Sequence, residues 1–335
     1  MKHRILILYT GGTIGMAPSA QGYIPCPKFS QQLLQKIPEE SRQQLPDFTV
    51  LEFSQLLDSA NLQPSHWTEM AKHLMVSWDQ YDGFVVLHGT DTMAYTAAAL
   101  SFMLQGIDKP VILTGSQVPL MKLRSDGLHN LMAAMELAAH GGVAEVCIFF
   151  NNRLLRGNRS IKINSGAFDA FDSPNFPCLA HVGVEVKIEK HLLLKPQEKQ
   201  FSCPVFDSSA VGVLHIYPGL NCVVVQHLLE IPTLKGVIIL SYGVGNIPQH
   251  PSIIDALQAA GQRGVVMINI TQCVEGSVNQ GNYATGDSLN RIGVVAGGDL
   301  TLAAAFAKLH FLIGSGLAVD CIREQLALSL CGEMT

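Results

Sequence analysis

The sequence predicts an α/β protein of two domains: a larger N-terminal one with a mostly parallel sheet flanked by helices, and a smaller C-terminal α/β one. Three observations predict it. Short apolar runs such as Ile5-Leu6-Ile7-Leu8-Tyr9 and Gly83-Phe84-Val85-Val86-Leu87 alternate with helical patterns along most of the chain, which is the mark of a parallel sheet. Glycine turns close several of these runs, as at Thr10-Gly11-Gly12, His88-Gly89 and Tyr242-Gly243-Val244-Gly245. The rhythm breaks over 185–209, a stretch richer in charge and proline. With 335 residues the chain exceeds one typical domain. The expected division is a domain over 1–190, a linker over 191–210 and a smaller domain over 211–335.

Each element has a local reason. Residues 5–9 are continuously apolar and stop at a turn signal, as a buried strand does. The stretch 17–27 holds three prolines and no period, so it reads as a mobile surface loop carrying Tyr23. Residues 29–37 are helical in pattern and end at Pro38; 48–57 contain a strand that stops at Asp58-Ser59-Ala60-Asn61. An amphipathic helix follows over 64–78, with Ser65 placed to cap it. The strand 83–87 runs into His88-Gly89-Thr90-Asp91-Thr92, and 94–104 is an alanine-rich helix. Strand 110–113, loop 114–120, helix 126–139 and strand 143–150 continue the alternation, followed by a polar loop over 151–164. After the break, strands are expected over 211–216, 236–240 and 264–270, with helices over 221–230 and 251–261. A loop over 271–286 and two helices, 301–313 and 320–330, complete the chain.

Composition narrows the classes of function. The chain is 48% hydrophobic and 15% charged, ordinary for a globular protein with sizeable cores. A formal net charge of -5 and the lack of a polybasic run argue against nucleic acid or an anionic membrane as partner. The apolar run at 5–9 is too short for a signal peptide, and no stretch approaches the length of a membrane span. The eight cysteines form no C-x-x-C pair and no compact cluster, which suits reduced thiols in the cytoplasm better than a disulfide scaffold or a zinc site.

The motifs for serine hydrolases, zinc proteases, nucleotide-binding loops and dinucleotides are absent or wrongly spaced. What remains is a set of hydroxyls and charges at strand ends: Thr13, Ser59, Thr90 with Asp91, and Lys162 further on. Parallel strands bring their carboxyl ends to one edge of a sheet, so three of these loops converge there. Taken singly, each residue has a plainer explanation. Thr13 on its glycine turn could cap a helix, bind phosphate or act as a nucleophile. A Thr-Asp pair after a strand usually caps the next helix, and a lone loop lysine is usually solvated.

Longer motifs add to this. YTGGTIGM at 9–16 and HGTDTMAYTA at 88–97 resemble the two signature motifs of the bacterial-type L-asparaginases. The resemblance extends to LLDSANLQP (56–64), TGSQVP (114–119), NRSIKINSGAFDAFDSPN (158–175), SYGVGN (241–246) and TQCVEGSVNQGNYATG (271–286). Two motifs of this length, in order and with the intervening pieces, are specific. Without a signal peptide the chain is similar to the cytoplasmic, type I branch.

The resemblance implies hydrolysis of L-asparagine to L-aspartate and ammonia through a threonyl acyl-enzyme, with no metal and no organic cofactor. It implies that Thr13 is the nucleophile, that Tyr23 positions and activates it, and that Thr90, Asp91 and Lys162 form a second triad activating water or nucleophile. Asp58, Ser59 and Asp91 would hold the substrate's α-amino and α-carboxylate groups, with Gly89 and Thr90 beside them. Asn246 would come from a neighbouring subunit of a homodimer or homotetramer. The alternatives are a glutaminase-preferring or other related amidohydrolase, and an amino-acid-binding regulator without turnover. Thr271 and Cys273 resemble the loop of an effector site found in some cytoplasmic members. Where those members carry an arginine, however, this chain has Leu240, which offers no donor to a carboxylate; weak or absent cooperativity is expected.

Overall fold

The structure, a computed structural model, describes residues 2–20, 22–280 and 284–335. The chain forms two compact units, Met1–Cys203 and Pro204–Thr335.

The first unit is built on an 8-stranded sheet. From one edge the strands are Asp47–Leu57, Arg4–Gly11, Gly83–Leu87, Val111–Thr114, Val146–Phe150, Arg153–Arg156, Ala180–Val182 and Val186–Ile188. Neighbours are parallel up to Val146–Phe150 and antiparallel beyond it. Helices cover both faces, so the central strands are apolar at every position rather than at alternate ones. Ile5, Ile7, Val85, Leu87 and Ile112 pack with Phe29 and Leu33 of one helix and Leu131, Ala134 and Leu137 of another. On the alternate positions of the same strands, Phe84 stacks on Trp78 with ring centroids 4.8 Å apart.

Some local expectations are revised. The expected mobile loop over 17–27 contains an antiparallel hairpin, Met16–Ser19 with Gly22–Pro25; Gln21 lies outside the described residues. Helix Pro64–Ser77 starts one residue before Ser65, with Gln63 as its N-cap and Pro64 in its first turn. The Gln63 N–H donates to His66 Nδ1 at 2.9 Å. The expected polar loop over 151–164 contains the strand Arg153–Arg156 and the short ladder Ile161–Lys162 with Phe171–Asp172. Near the end of the unit, Gln200–Phe201 pairs antiparallel with Leu104–Gln105.

The second unit carries a 4-stranded parallel sheet, Val211–His215, Gly236–Ser241, Val266–Thr271 and Val295–Ala296. Its core joins Val237, Ile239 and Met267 to Val225, Leu229, Ile253 and Leu257 of two helices. The chain end is tied down from within. Lys308, fully buried on helix Leu302–Gly314, meets the buried Glu333 at 2.7 Å and donates to the Leu326 carbonyl at 3.1 Å. Of the loop expected over 271–286, residues 281–283 lie outside the described residues, and a helix, Ala284–Arg291, takes up its end.

Candidate active site

Parallel strands point their carboxyl ends the same way, and the loops leaving those ends build the site. The strand Arg4–Gly11 leaves through Gly12 into a single 3-10 turn, Thr13–Gly15, and then enters the hairpin. No α-helix starts there, so Thr13 has none to cap, and the turn lacks the helix N-terminus that a phosphate site uses. The strand Asp47–Leu57 leaves through Asp58, whose Oδ1 accepts the Ala60 N–H at 3.0 Å. That contact fixes the turn bearing the buried Ser59. The strand Gly83–Leu87 leaves through His88 to Thr92, where helix Met93–Met103 begins.

Glycine lets these loops touch. Gly12 has φ +83°, and a Cβ there would lie 2.4 Å from the Gly89 nitrogen. A Cβ on Gly89 would lie 2.4 Å from Ser59 Oγ. Gly12 and Gly89 therefore meet backbone to backbone and Gly89 meets the Ser59 side chain, so any larger residue at either position would push the strand ends apart.

The N-cap of helix Met93–Met103 is Thr92, without a side-chain cap bond. Thr90 and Asp91 do not serve as its cap; they face Lys162 instead. The Lys162 ammonium donates to Thr90 Oγ1 at 2.8 Å and to Asp91 Oδ1 at 2.6 Å. The backbone of Lys162 is held by the short ladder that pairs it with Phe171. Thr13, Asp58, Ser59, Gly89, Thr90, Asp91 and Lys162 all line one cavity of about 310 Å³, together with Gly12, Met16, Gln117 and Ser165. A larger cavity, about 590 Å³, lies by Lys2 and His3 at the opposite end of the first strand. There Lys2 Nζ donates to the Gln43 and Leu45 carbonyls at 2.7 and 3.1 Å and so ties the chain start to the fold. Size does not locate the chemistry here.

Behind the cavity, His88 is wholly buried, which pushes its pKa down to about 4. Its Nδ1 is 2.7 Å from the Gly89 carbonyl, which can only accept, so Nδ1 carries the proton. Nε2 then accepts from Thr96 Oγ1 at 2.9 Å, and that oxygen accepts from Trp67 Nε1 at 3.2 Å. This chain of bonds satisfies every buried polar group in it and fixes the Gly89 turn from below.

Not every expected residue is gathered here. Tyr23 does not line the cavity; it is 47% exposed on the hairpin, with Lys122 Nζ 5.6 Å from its ring centroid. Asn246 closes the glycine turn of the second unit, its N–H donating to the Tyr242 carbonyl at 2.9 Å. Thr271 and Cys273 also lie in the second unit, where the Cys273 N–H donates to Thr271 Oγ1 at 3.0 Å. Beside them Gln272 Nε2 donates to the carbonyls of Ile216 and Leu240 at 2.6 and 2.8 Å. Two residues that sequence reasoning passed over are Gln117 and Ser165. The signal for Gln117 was its place in a loop leaving a fourth strand end, Val111–Thr114. Among the described residues, no group of three or more His, Cys, Asp or Glu side chains is placed to hold a metal ion, and no helix is long and apolar enough to cross a membrane.

Comparison with known proteins matches this arrangement to one family over nearly the whole chain. Residues 4–194 match the N-terminal asparaginase family profile, and residues 210–326 match the C-terminal domain of glutaminases and asparaginases. The chain belongs to the asparaginase family. Among family members, L-asparaginase 1 of Escherichia coli K12 is 46% identical over 100% of this chain and 98% of its own. The crystal structure of L-asparaginase I from Vibrio cholerae is 42% identical, with a TM-score of 0.91 and 100% of both chains covered. A Campylobacter jejuni chain described as a probable cytoplasmic L-asparaginase superimposes with a TM-score of 0.80 at 27% identity, covering 98% of this chain and 100% of its own. Within the asparaginase family the cavity at the strand ends is the candidate active site.

Proposed function

We propose that the protein is an L-asparaginase whose site is the cavity at the carboxyl ends of the first unit's strands. The observation that carries this reading is the Lys162 ammonium bridging Thr90 and Asp91 on the wall of the cavity that Thr13 also lines. Asparagine is a zwitterion with a side-chain amide. Asp58, Asp91 and Ser59 offer carboxylates to its ammonium and donors to its carboxylate.

Thr13 Oγ adds to the amide carbonyl carbon, and its proton is delivered to the amide nitrogen. The C–N bond then breaks, ammonia leaves, and an aspartyl ester remains on Thr13. Water, oriented by Thr90, attacks the ester; aspartate departs and Thr13 regains its proton. A threonine hydroxyl is a weak nucleophile at neutral pH and needs such a polar network beside it. As an ammonium donating to two oxygens, Lys162 acts electrostatically and steers protons rather than serving as the first base. Backbone N–H groups of the Gly89-Thr90 turn stabilise the oxyanion, an effect of roughly 3–4 kcal/mol per donor.

Eight free cysteines and likeness to the cytoplasmic branch support a cytoplasmic location. A homodimer or homotetramer, with Asn246 supplied by a neighbour, goes with the family resemblance; light scattering showing an active monomer would contradict it. The reading as a whole is tested by ammonia release from the purified protein over a range of asparagine and glutamine concentrations. Asparagine should be strongly preferred in kcat/KM, with a hyperbolic curve as Leu240 implies. Equal rates with both amides favour the glutaminase alternative, and no release from either leaves a binding protein.

A further inference from the structure

We propose that Gln117 is a positioning residue for this reaction, turning the Thr90 hydroxyl so that it offers an acceptor to the cavity. The inference rests on the reading of Thr90 as a catalytic group.

Hydrogen-bond direction carries the argument. Gln117 Nε2 donates to the Ala167 carbonyl at 3.0 Å. A carbonyl only accepts, so the amide cannot be reversed without facing two oxygens against each other. Gln117 Oε1 is therefore the atom 3.3 Å from Thr90 Oγ1. The same Thr90 oxygen lies 2.8 Å from Lys162 Nζ, and an ammonium only donates. Thr90 thus accepts from Lys162 and sends its single proton to Gln117. A hydroxyl oxygen has two lone pairs. One is taken by Lys162, and the other is left for the cavity that Thr90 lines.

In that state Thr90 can receive a hydrogen bond from the attacking water or from the Thr13 hydroxyl. Remove the Gln117 acceptor and the Thr90 proton has the cavity to turn into, where it opposes the water it should orient. The 3.3 Å contact is long, so it works by choosing a rotor rather than by strength. Gln117 itself is held firmly. Its backbone N–H lies 3.1 and 3.0 Å from the two Asp126 carboxylate oxygens, and the Val118 N–H donates to Asp126 at 3.0 Å. Asn130 Nδ2 donates to Asp126 Oδ2 at 3.2 Å, tying the loop to helix Gly127–His140.

The test is Gln117→Met, which keeps the side chain's length and removes both hydrogen bonds, measured alone and with Thr90→Val. Gln117→Met should lower kcat roughly tenfold, with KM nearly unchanged and the melting temperature close to wild type. On top of Thr90→Val it should cause no further loss, because the hydroxyl it acts through is gone. Unchanged kcat, a change confined to KM, or a loss that multiplies in the double variant would each overturn the inference. If Thr90→Val alone turned over like wild type, the reading of the site would fail instead.

Discussion

At Lys162, magnitudes separate a catalytic role from a structural one. Its partner Asp91 is 62% exposed, and an ion pair that open contributes no more than about 1 kcal/mol to stability. A preorganised donor beside reacting atoms contributes about 3–4 kcal/mol to the barrier. Lys162→Met should therefore melt close to wild type while kcat falls about 100-fold or more, KM changing little; a variant that raises KM alone would make Lys162 a binding residue. Thr13, Thr90 and Lys162 were legible in the sequence because each sits where a strand ends or in a motif that resembles the family's. Gln117 and the bonds around His88 were not. What orients Gln117 is the Ala167 carbonyl, 50 residues further along the chain. What keeps His88 neutral is its burial, with the Thr96 hydroxyl, itself bonded by Trp67, against Nε2. Such partners are set by packing, which no local pattern encodes.

Among the elements, the contact between strand ends is the one to break. Gly12→Ala places a methyl 2.4 Å from the Gly89 nitrogen at a φ of +83°. Gly141, at φ +72° with nothing within 4 Å of where a methyl group would sit, supplies the control. Gly141→Ala should cost about 1 kcal/mol from backbone strain alone, and Gly12→Ala about 2 kcal/mol or more with most activity lost. Urea unfolding of the two variants separates them; equal midpoints would show that the loops can part freely. The sheet's parallel strands were legible from their continuous apolar runs. The hairpin was not, because its prolines read as loop. In a two-stranded ladder a proline needs only a position whose N–H is not required, and Pro18 and Pro25 sit opposite Tyr23 and Met16. Arg153–Arg156 was missed because it looks polar. In the structure Arg156 is buried beside Glu145, with its Nε 2.7 Å from Oε2, and Leu154 and Leu155 enter the core.

Across the whole molecule, two buried histidines make stability depend on pH in the neutral-to-acid range. His88 in the first unit and His310 in the second are each lowered from 6.5 to about 4 by burial. Both stay neutral in the folded chain, while the unfolded chain binds their protons below about pH 6.5. Their contribution is therefore complete above about 6.5 and declines as pH falls towards 4, by up to about 3 kcal/mol for each. Melting curves from about pH 8 to 4 should show this decline, and His310→Gln, which cannot titrate, should remove about half of it and leave the part due to His88. Coincident pH profiles for wild type and variant would contradict the assignment.

If Thr13 forms the ester, Thr13→Ala removes the nucleophile and leaves the rest of the site in place. Ammonia release from asparagine should fall by about three orders of magnitude or more, with circular dichroism and melting unchanged. A folded Thr13→Ala protein that kept more than about a tenth of wild-type turnover would contradict it, since losing a nucleophile costs far more than that.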